Sequence, residues 1–440
     1  MSTTRAGWAQ FDSTPLLGLP MGGRGPRFSS GNEVLDSLAA QAVVLEDRKG
    51  YRTIWISIDM IGMTWQMTSR LRMELSAMTG IPFAAIVVNF SHTHSGPMSG
   101  FEGYATTVEK PTALIAYEED LLTRTVKMVL EAVENLQSVT VQVCRGTSEI
   151  GINRRGRNPD GSMGMRPNPD GFMNRDLWIL DLKAGNGRCV LFNYGCHPVM
   201  VYGFAWDSIS ADFPGVCRDK LVETLGANTQ AQFIQGCAGN VRPCRLADFE
   251  GGSFRQSTSE DYIFTGGQLA DDVLAAIDAG GEDLDLEINC VSGFAMAPRN
   301  MEIIPPLTHW EELSESGDEL EHNLGVYWVE RLRSGILPVQ FLPWAIGLIR
   351  LTERHTIAWL ANEVVAEWLP LLRNWLNDPN LTAWGYCQDG RNYMPTDELI
   401  PEGGYEVDRA NTYTKAGPGP FKVGINKAAE KTFRALAERI

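Results

Sequence analysis

The sequence predicts an α/β fold, a mixed β-sheet core flanked by helices, on three observations. Short apolar runs rich in β-branched residues, such as Thr53–Met60 (TIWISIDM) and Ala84–Phe90 (AAIVVNF), have the length of buried strands rather than of helices. Segments with apolar residues at helical spacing alternate with them, most clearly from Glu118 to Gln137, where Leu121, Leu122, Val126, Val129, Leu130, Val133 and Leu136 make one stripe. Several runs stop abruptly at a histidine or a glycine loop, and open α/β sheets bind ligands beyond the carboxyl ends of their strands.

Composition bounds the rest. With 440 residues, 44% of them hydrophobic, the chain can bury a large core. No repeat or low-complexity linker cuts it, so residues 1–440 read as a single catalytic domain with a helical insertion at about 303–338. A net charge of -16 argues against a nucleic-acid partner, because phosphate binding needs a concentrated basic surface. No apolar run reaches the ~18 residues of a spanning helix, and MSTTRAGWAQFDS lacks the apolar core of a secretory signal. A cytoplasmic protein acting on a small molecule is the expectation, with homo-oligomerisation left open. Eight cysteines without a C-x-x-C pair read as reduced core thiols.

In chain order, FDSTPLLGLPMGGRGPR is dense in glycine and proline and reads as an irregular segment, either a surface loop or a close backbone approach to a site. Ala39–Glu46 and Thr53–Met60 are strands, Ser69–Thr79 a helix, and Ala84–Phe90 a strand leading to His92 and His94. In an extended segment residues two apart point the same way, so both imidazoles are expected to address one point. NPDG at 158–161 and again at 168–171 marks paired turns, with too few acidic ligands for a calcium loop. Leu177–Leu182 and Cys189–Tyr194 are strands, the second running into Cys196 and His197. Ala231–Ile234 runs into Gly236, Cys237, Ala238, Gly239 and Asn240, a loop whose backbone N–H groups suit an oxyanion. Thr308 and Glu311 have capping-box spacing at the head of the helical insertion. His355–Ala361 is a strand delivering Glu363, followed by a helix over Val364–Trp375. Glu363 also has the alternative of a plain helix-start carboxylate. A last short strand lies within Ala383–Tyr393, and Asn426–Ile440 is a closing helix.

Four strand ends therefore carry reactive groups: His92 with His94, His197, the Cys237 loop, and Glu363. Of six histidines in the chain, three fall in these positions, so chance core histidines are a poor account of them. Two imidazoles and a carboxylate hold zinc and leave a position for water, whose pKa the ion lowers to ~7. A metal-assisted hydrolase follows, with His94 free to move protons.

The chain also resembles the neutral/alkaline non-lysosomal ceramidase family, through STPLLGLPMGGRG near the start, SHTHSGP from Ser91, NRR from Asn153, GCHP from Gly195, ISADFPG from Ile209, QGCAGNVRP from Gln235, NEV from Asn362, and the tyrosines of NYMPT and GGYE. The resemblance implies the family's catalytic domain without its C-terminal immunoglobulin-like domain. It implies Zn2+ held by His92, His197, Glu363 and Tyr393, with His94 and Arg154 facing the substrate and Tyr405 beside them. Where the family carries an active-site serine in GDVSPN, this chain has Arg242 in GNVRP, and its usual PGE is here Ala361, Asn362 and Glu363.

The expected function is a zinc amidohydrolase cleaving a small, polar or acidic amide through zinc-bound hydroxide. His94 shuttles protons, and Arg154 or the amides of Gly236, Cys237, Ala238 and Asn240 stabilise the oxyanion. Arg242 puts a fixed positive charge in the pocket and predicts a carboxylate or other polar acceptor on the substrate. An ester, lactone or cyclic amide uses the same groups. A metal-free enzyme with Cys237 as nucleophile and a non-catalytic binding protein are the two rival readings.

Overall fold

A computed structural model describes residues 3–23, 27, 31–101, 109–185, 187–390, 392–412, 415 and 419–440. The fold is mixed α/β, and its three larger sheets share one plan, each ending in a parallel pair of strands. Parallel neighbours need a crossover, and in every case a helix supplies it.

The first sheet holds β1 (Arg5–Asp12), β2 (Ala39–Glu46) and β3 (Arg52–Ile58), which pair antiparallel. Helix α1 (Trp65–Thr79) then returns the chain to β4 (Ile86–Phe90), parallel to β3. Helix α1 starts earlier than its apolar pattern suggests because Thr64 Oγ1 accepts the Met67 N–H, and Gly80 ends it in the left-handed region. The expected strand Ala84–Phe90 is shorter by two residues, since a 3-10 turn follows Pro82. Helix α2 (Thr112–Glu134) begins after Pro111, ahead of the recognised stripe, and packs on β1 and β2.

In the second sheet, β5 (Thr140–Thr147) is followed by an outlying hairpin, β6 (Gly151–Arg157) and β7 (Met163–Asn168). The first NPDG closes that hairpin and the second follows it; both are turns, with Gly161 N–H donating to Asn158 O and Gly171 N–H to Asn168 O. Then come β8 (Asp176–Lys183), β9 (Arg188–Tyr194), helix α3 (Asp212–Leu225) and β10 (Thr229–Gln235), parallel to β9. Short β11 (Val241–Pro243) pairs back onto β6. Helix α4 (Ser259–Asp278) lies against α3; its Thr258 and Asp261 form a full capping box.

The third sheet begins with β12 (Asn289–Pro298). Helices α5 (Leu307–Leu313) and α6 (Glu319–Arg333) follow and pack on each other through Trp310, Leu324 and Trp328. The capping box expected at Thr308 does not form, because α5 starts at Leu307 and leaves Thr308 inside its first turn. Strands β13 (Phe341–Thr352) and β14 (His355–Leu360) complete the antiparallel part. Glu363–Val364 is then a short strand, β15, and helix α7 starts only at Trp368 (Trp368–Trp375), so Glu363 is not a helix-start carboxylate. Strand β16 (Thr382–Trp384) runs parallel to β14, and β17 (Tyr393–Met394) pairs parallel with β15. Helix α8 (Ile425–Ala437) closes the chain against β12 and β13. No helix among the described residues is long and apolar enough to cross a membrane.

The three parallel pairs meet at their carboxyl ends. Single bridges, Asn89 to Cys387 and Gly236 to Trp384, tie β4 and β10 to the chain at the end of β16. Two buried side chains complete the joint. Asn89 donates to Gly385 O at 2.7 Å and accepts the Gln235 N–H at 2.8 Å. Gln235 donates to both Ser91 O and Cys196 O, each at 2.9 Å, and so holds the segments bearing His92 and His197 side by side.

Candidate active site

His92, His94, His197 and Glu363 meet at this joint. The three histidines offer nitrogen atoms that all lie within 4.8 Å of one another, so the group could hold a metal ion. The pairing of His92 and His94 was expected from strand alternation, but its cause differs. Strand β4 ends at Phe90, and His92 sits in the left-handed region at φ 65, uncommon for a residue with a Cβ. Thr93 fixes the turn by donating to Ser210 O and accepting the Ser95 N–H.

Two imidazoles are oriented by backbone carbonyls. His92 Nδ1 lies 2.7 Å from Ile61 O and His197 Nδ1 lies 2.7 Å from Ala238 O, which places the proton on Nδ1 and leaves Nε2 as an acceptor. Burial pushes His197 down to about 4 and His94 well below its usual value, so both are neutral near pH 7.

Glu363 Oε2 lies 3.1 Å from His92 Nε2 and 3.3 Å from His197 Nε2. His92 Nε2, though buried and this close, has no hydrogen-bond alignment, and His94 Nε2 is also buried without a partner among the described residues. In the tautomers set by the carbonyls, Nε2 and Oε2 are acceptors facing acceptors. A cation between them relieves that repulsion, and the donor set of imidazole and carboxylate suits zinc. The fit is that of a metal centre.

Tyr393 stands at its edge. The hydroxyl is 3.3 Å from His197 Nε2, and Arg154 Nη2 donates to it at 3.2 Å. Arg154 is itself held by Glu406 at 2.7 Å, and Arg155 donates to the other Glu406 oxygen at 2.9 Å. Arg154 is thus engaged and buried, a residue that positions Tyr393, with the Tyr405 ring 5.6 Å from its guanidinium carbon.

The glycine loop is partly engaged in holding the fold together. Gly236 N–H donates to Tyr194 O and Gly239 N–H to Val364 O, while Ala238 O is the carbonyl that orients His197. Asn240 is fully buried, its amide bonded to Glu367 and to the Ala366 N–H. The Gly236 N–H and the Asn240 side chain are thereby committed within the fold, and Ala238 O orients His197. Cys237 belongs to the main core cluster and burial pushes its thiol far up, so the thiolate needed by a covalent mechanism is strongly disfavoured. Arg242 lies on β11 beside the site, its guanidinium 4.7 Å from the Phe254 ring centroid.

Three contributors were not singled out from the sequence. Tyr386 is fully buried with its ring 4.4 Å from that of His92, and it follows β16 as His92 follows β4, so its place after a strand was the available signal. Arg27 donates to the His94 carbonyl and lies over the Tyr202 and Trp206 rings. Gly23 brings backbone against His94, which makes the glycine-rich N-terminal segment a close approach to the site.

Fold and site together define a buried histidine and carboxylate centre at the junction of three strand-helix-strand units. Neither the known family models nor the curated proteins match this sequence. Among solved structures, the chain has the fold of neutral ceramidase from Pseudomonas aeruginosa, with a TM-score of 0.72 and 16% identity over 100% of this chain and 75% of that one. A ceramidase complexed with C2 gives a TM-score of 0.73 and 15% identity over 100% and 76% of the two chains.

Proposed function

We propose that this chain is a zinc-dependent amidohydrolase acting on the C–N bond of a small polar substrate. The observation that carries the reading is the cluster of opposed acceptors, His92 Nε2, His197 Nε2 and Glu363 Oε2, buried together at strand ends. The fold shared with a neutral ceramidase supports this reading. An ester, a lactone or a cyclic amide presents the same acyl carbon to the same groups.

His92, His197 and Glu363 hold the ion in this reading, with Tyr393 at the edge of the set. Zinc in such a site supplies a Lewis acid and lowers the pKa of a bound water toward ~7. Ile61 O and Ala238 O keep the two imidazoles in the ligating tautomer. His94, neutral and with an unpartnered Nε2, is the group placed to take a proton and return it to the leaving amine. Arg154, anchored on Glu406, fixes the Tyr393 hydroxyl and leaves it able to donate to a developing oxyanion.

The clustering of all three histidines favours a second ligand set, His92, His94 and His197, with Glu363 as base. Elemental analysis of zinc-loaded variants separates the two. His92→Ala, His197→Ala and Glu363→Gln are expected to lose bound zinc, and His94→Ala to keep it while losing turnover of an N-acyl amide panel. Zinc lost from His94→Ala but kept by Glu363→Gln assigns the three-histidine set. Hydrolysis that persists in chelator, or zinc kept by both His92→Ala and His197→Ala, overturns the metal reading altogether.

A further inference from the structure

Among the described residues Arg242 has no carboxylate counter-ion. It follows Val241, whose carbonyl accepts the backbone N–H of His197 at 3.1 Å, and it pairs across β6 with Ile152, two residues before Arg154. Its Nη1 reaches Met165 Sδ at 3.5 Å, its Nε is buried with no hydrogen-bond partner, and no carboxylate among the described residues forms an ion pair with it. The neighbouring arginines differ: Arg154 and Arg155 share Glu406, and Arg155 also bonds Glu402. Burial first and Arg154 second push Arg242 down to about 10, which still leaves it charged near neutral pH.

Its place is the wall of the active site. Its strand borders the histidines through Val241, and Tyr202 and Tyr393 stand beside the same histidines. The Tyr202 ring is 6.0 Å from that of His94, and the Tyr393 hydroxyl is 3.3 Å from His197. A substrate seated at the histidines and extending along this wall meets the guanidinium.

We propose that Arg242 binds a carboxylate of the substrate, so that the amide cleaved belongs to a monoanionic acid. The proposal rests on the amidohydrolase reading for the reaction, and on Arg242 alone for the acid. A partly buried guanidinium with no carboxylate paired to it among the described residues favours an anion, and its planar fork matches a carboxylate in two parallel hydrogen bonds. One uncompensated positive charge balances one negative charge, which favours a carboxylate over a dianionic phosphate.

The test uses zinc-loaded wild type, Arg242→Gln and Arg242→Lys on N-acetyl amino acids and the matching N-acetyl amino-acid carboxamides, which lack only the charge. The ratio of kcat/KM for acid over carboxamide is expected to fall about 10- to 100-fold in Arg242→Gln, as for loss of hydrogen bonds to a charged group. Arg242→Lys, keeping charge without the fork, recovers part of the ratio and serves as the probe if the glutamine variant does not fold. Calorimetric binding of the same pairs gives a readout independent of turnover. Turnover of both probes with an unchanged ratio in Arg242→Gln overturns the acid proposal and leaves the amidohydrolase standing. Carboxylate binding that depends on Arg242 without turnover of either probe sustains the anion site and removes the amidohydrolase. Absence of both effects overturns both.

Discussion

Gly23 and His94 show how much a single position contributes to the site. A Cβ at Gly23 would lie 3.0 Å from His94 Nδ1 and 3.2 Å from both Cβ and Cγ, and the backbone there has φ 127, a conformation L residues rarely adopt. Gly23→Ala is therefore expected to push the imidazole from its place and to strain the segment by about 1 to 3 kcal/mol. Displacing a proton-moving group by a fraction of an ångström costs on the order of 10- to 100-fold in kcat. Zinc content should stay at the wild-type level, because in the favoured ligand set His94 does not hold the ion. Unchanged kcat in a folded, zinc-replete Gly23→Ala protein would remove His94 from the chemistry. The sequence alone left the glycine-rich segment as either a surface loop or a close backbone approach to a site. It could not say which, because the partner lies some seventy residues away and only the folded chain brings them together.

At the scale of elements, the strand ends were legible and their joint was not. His92, His197 and Glu363 could be placed after strands because β4, β9 and β14 are apolar runs that stop at a polar residue, and local composition records that. The paired turns of NPDG were legible for the same reason, since turn chemistry is local. The hairpin β6–β7 and the long strands β12 and β13 were missed, because strands carrying arginines, glycines and prolines lack a clean apolar alternation. Asn89 and Gln235, buried polar residues inside apolar strands, were the unread sign that separate sheets are bonded together there. Removing the Asn89 amide leaves the Gln235 N–H and the Gly385 carbonyl without these partners in a dry core. Asn89→Ala is expected to destabilise the chain by about 3 kcal/mol, read from the urea midpoint, and to weaken zinc binding because the segments carrying His92 and His197 lose their alignment. A loss of stability with zinc affinity intact would show that the joint supports the fold and not the centre.

For the whole molecule the governing quantity is charge, a net -16 near neutral pH. Self-repulsion among so many carboxylates lowers stability as they ionise, and salt screens it. Three buried carboxyls add a sharper dependence. Burial pushes Glu367 and Asp212 up to about 7 and Asp36 up to about 6, all above the ~4 of an unfolded chain. Between those values the folded protein holds protons that the unfolded chain has released. Their contribution is therefore fully present below about pH 4 and is lost as pH rises through 6 and 7. The opposite sign belongs to Asp261, which Arg255 holds well below the usual carboxylate range and whose contribution is lost in acid. Stability by urea denaturation is expected to peak near pH 4 and to decline up to about pH 7, by at most ~1.4 kcal/mol per pH unit for each raised carboxyl. Glu367→Gln keeps a hydrogen-bonding group beside Asn240 without the titration, so its decline between pH 5 and 8 should be shallower than that of wild type. Comparing the two at each pH cancels the shared contributions of zinc and of net charge. Parallel curves would mean that Glu367 is already ionised at pH 5, with the Asn240 amide sufficient to hold its charge.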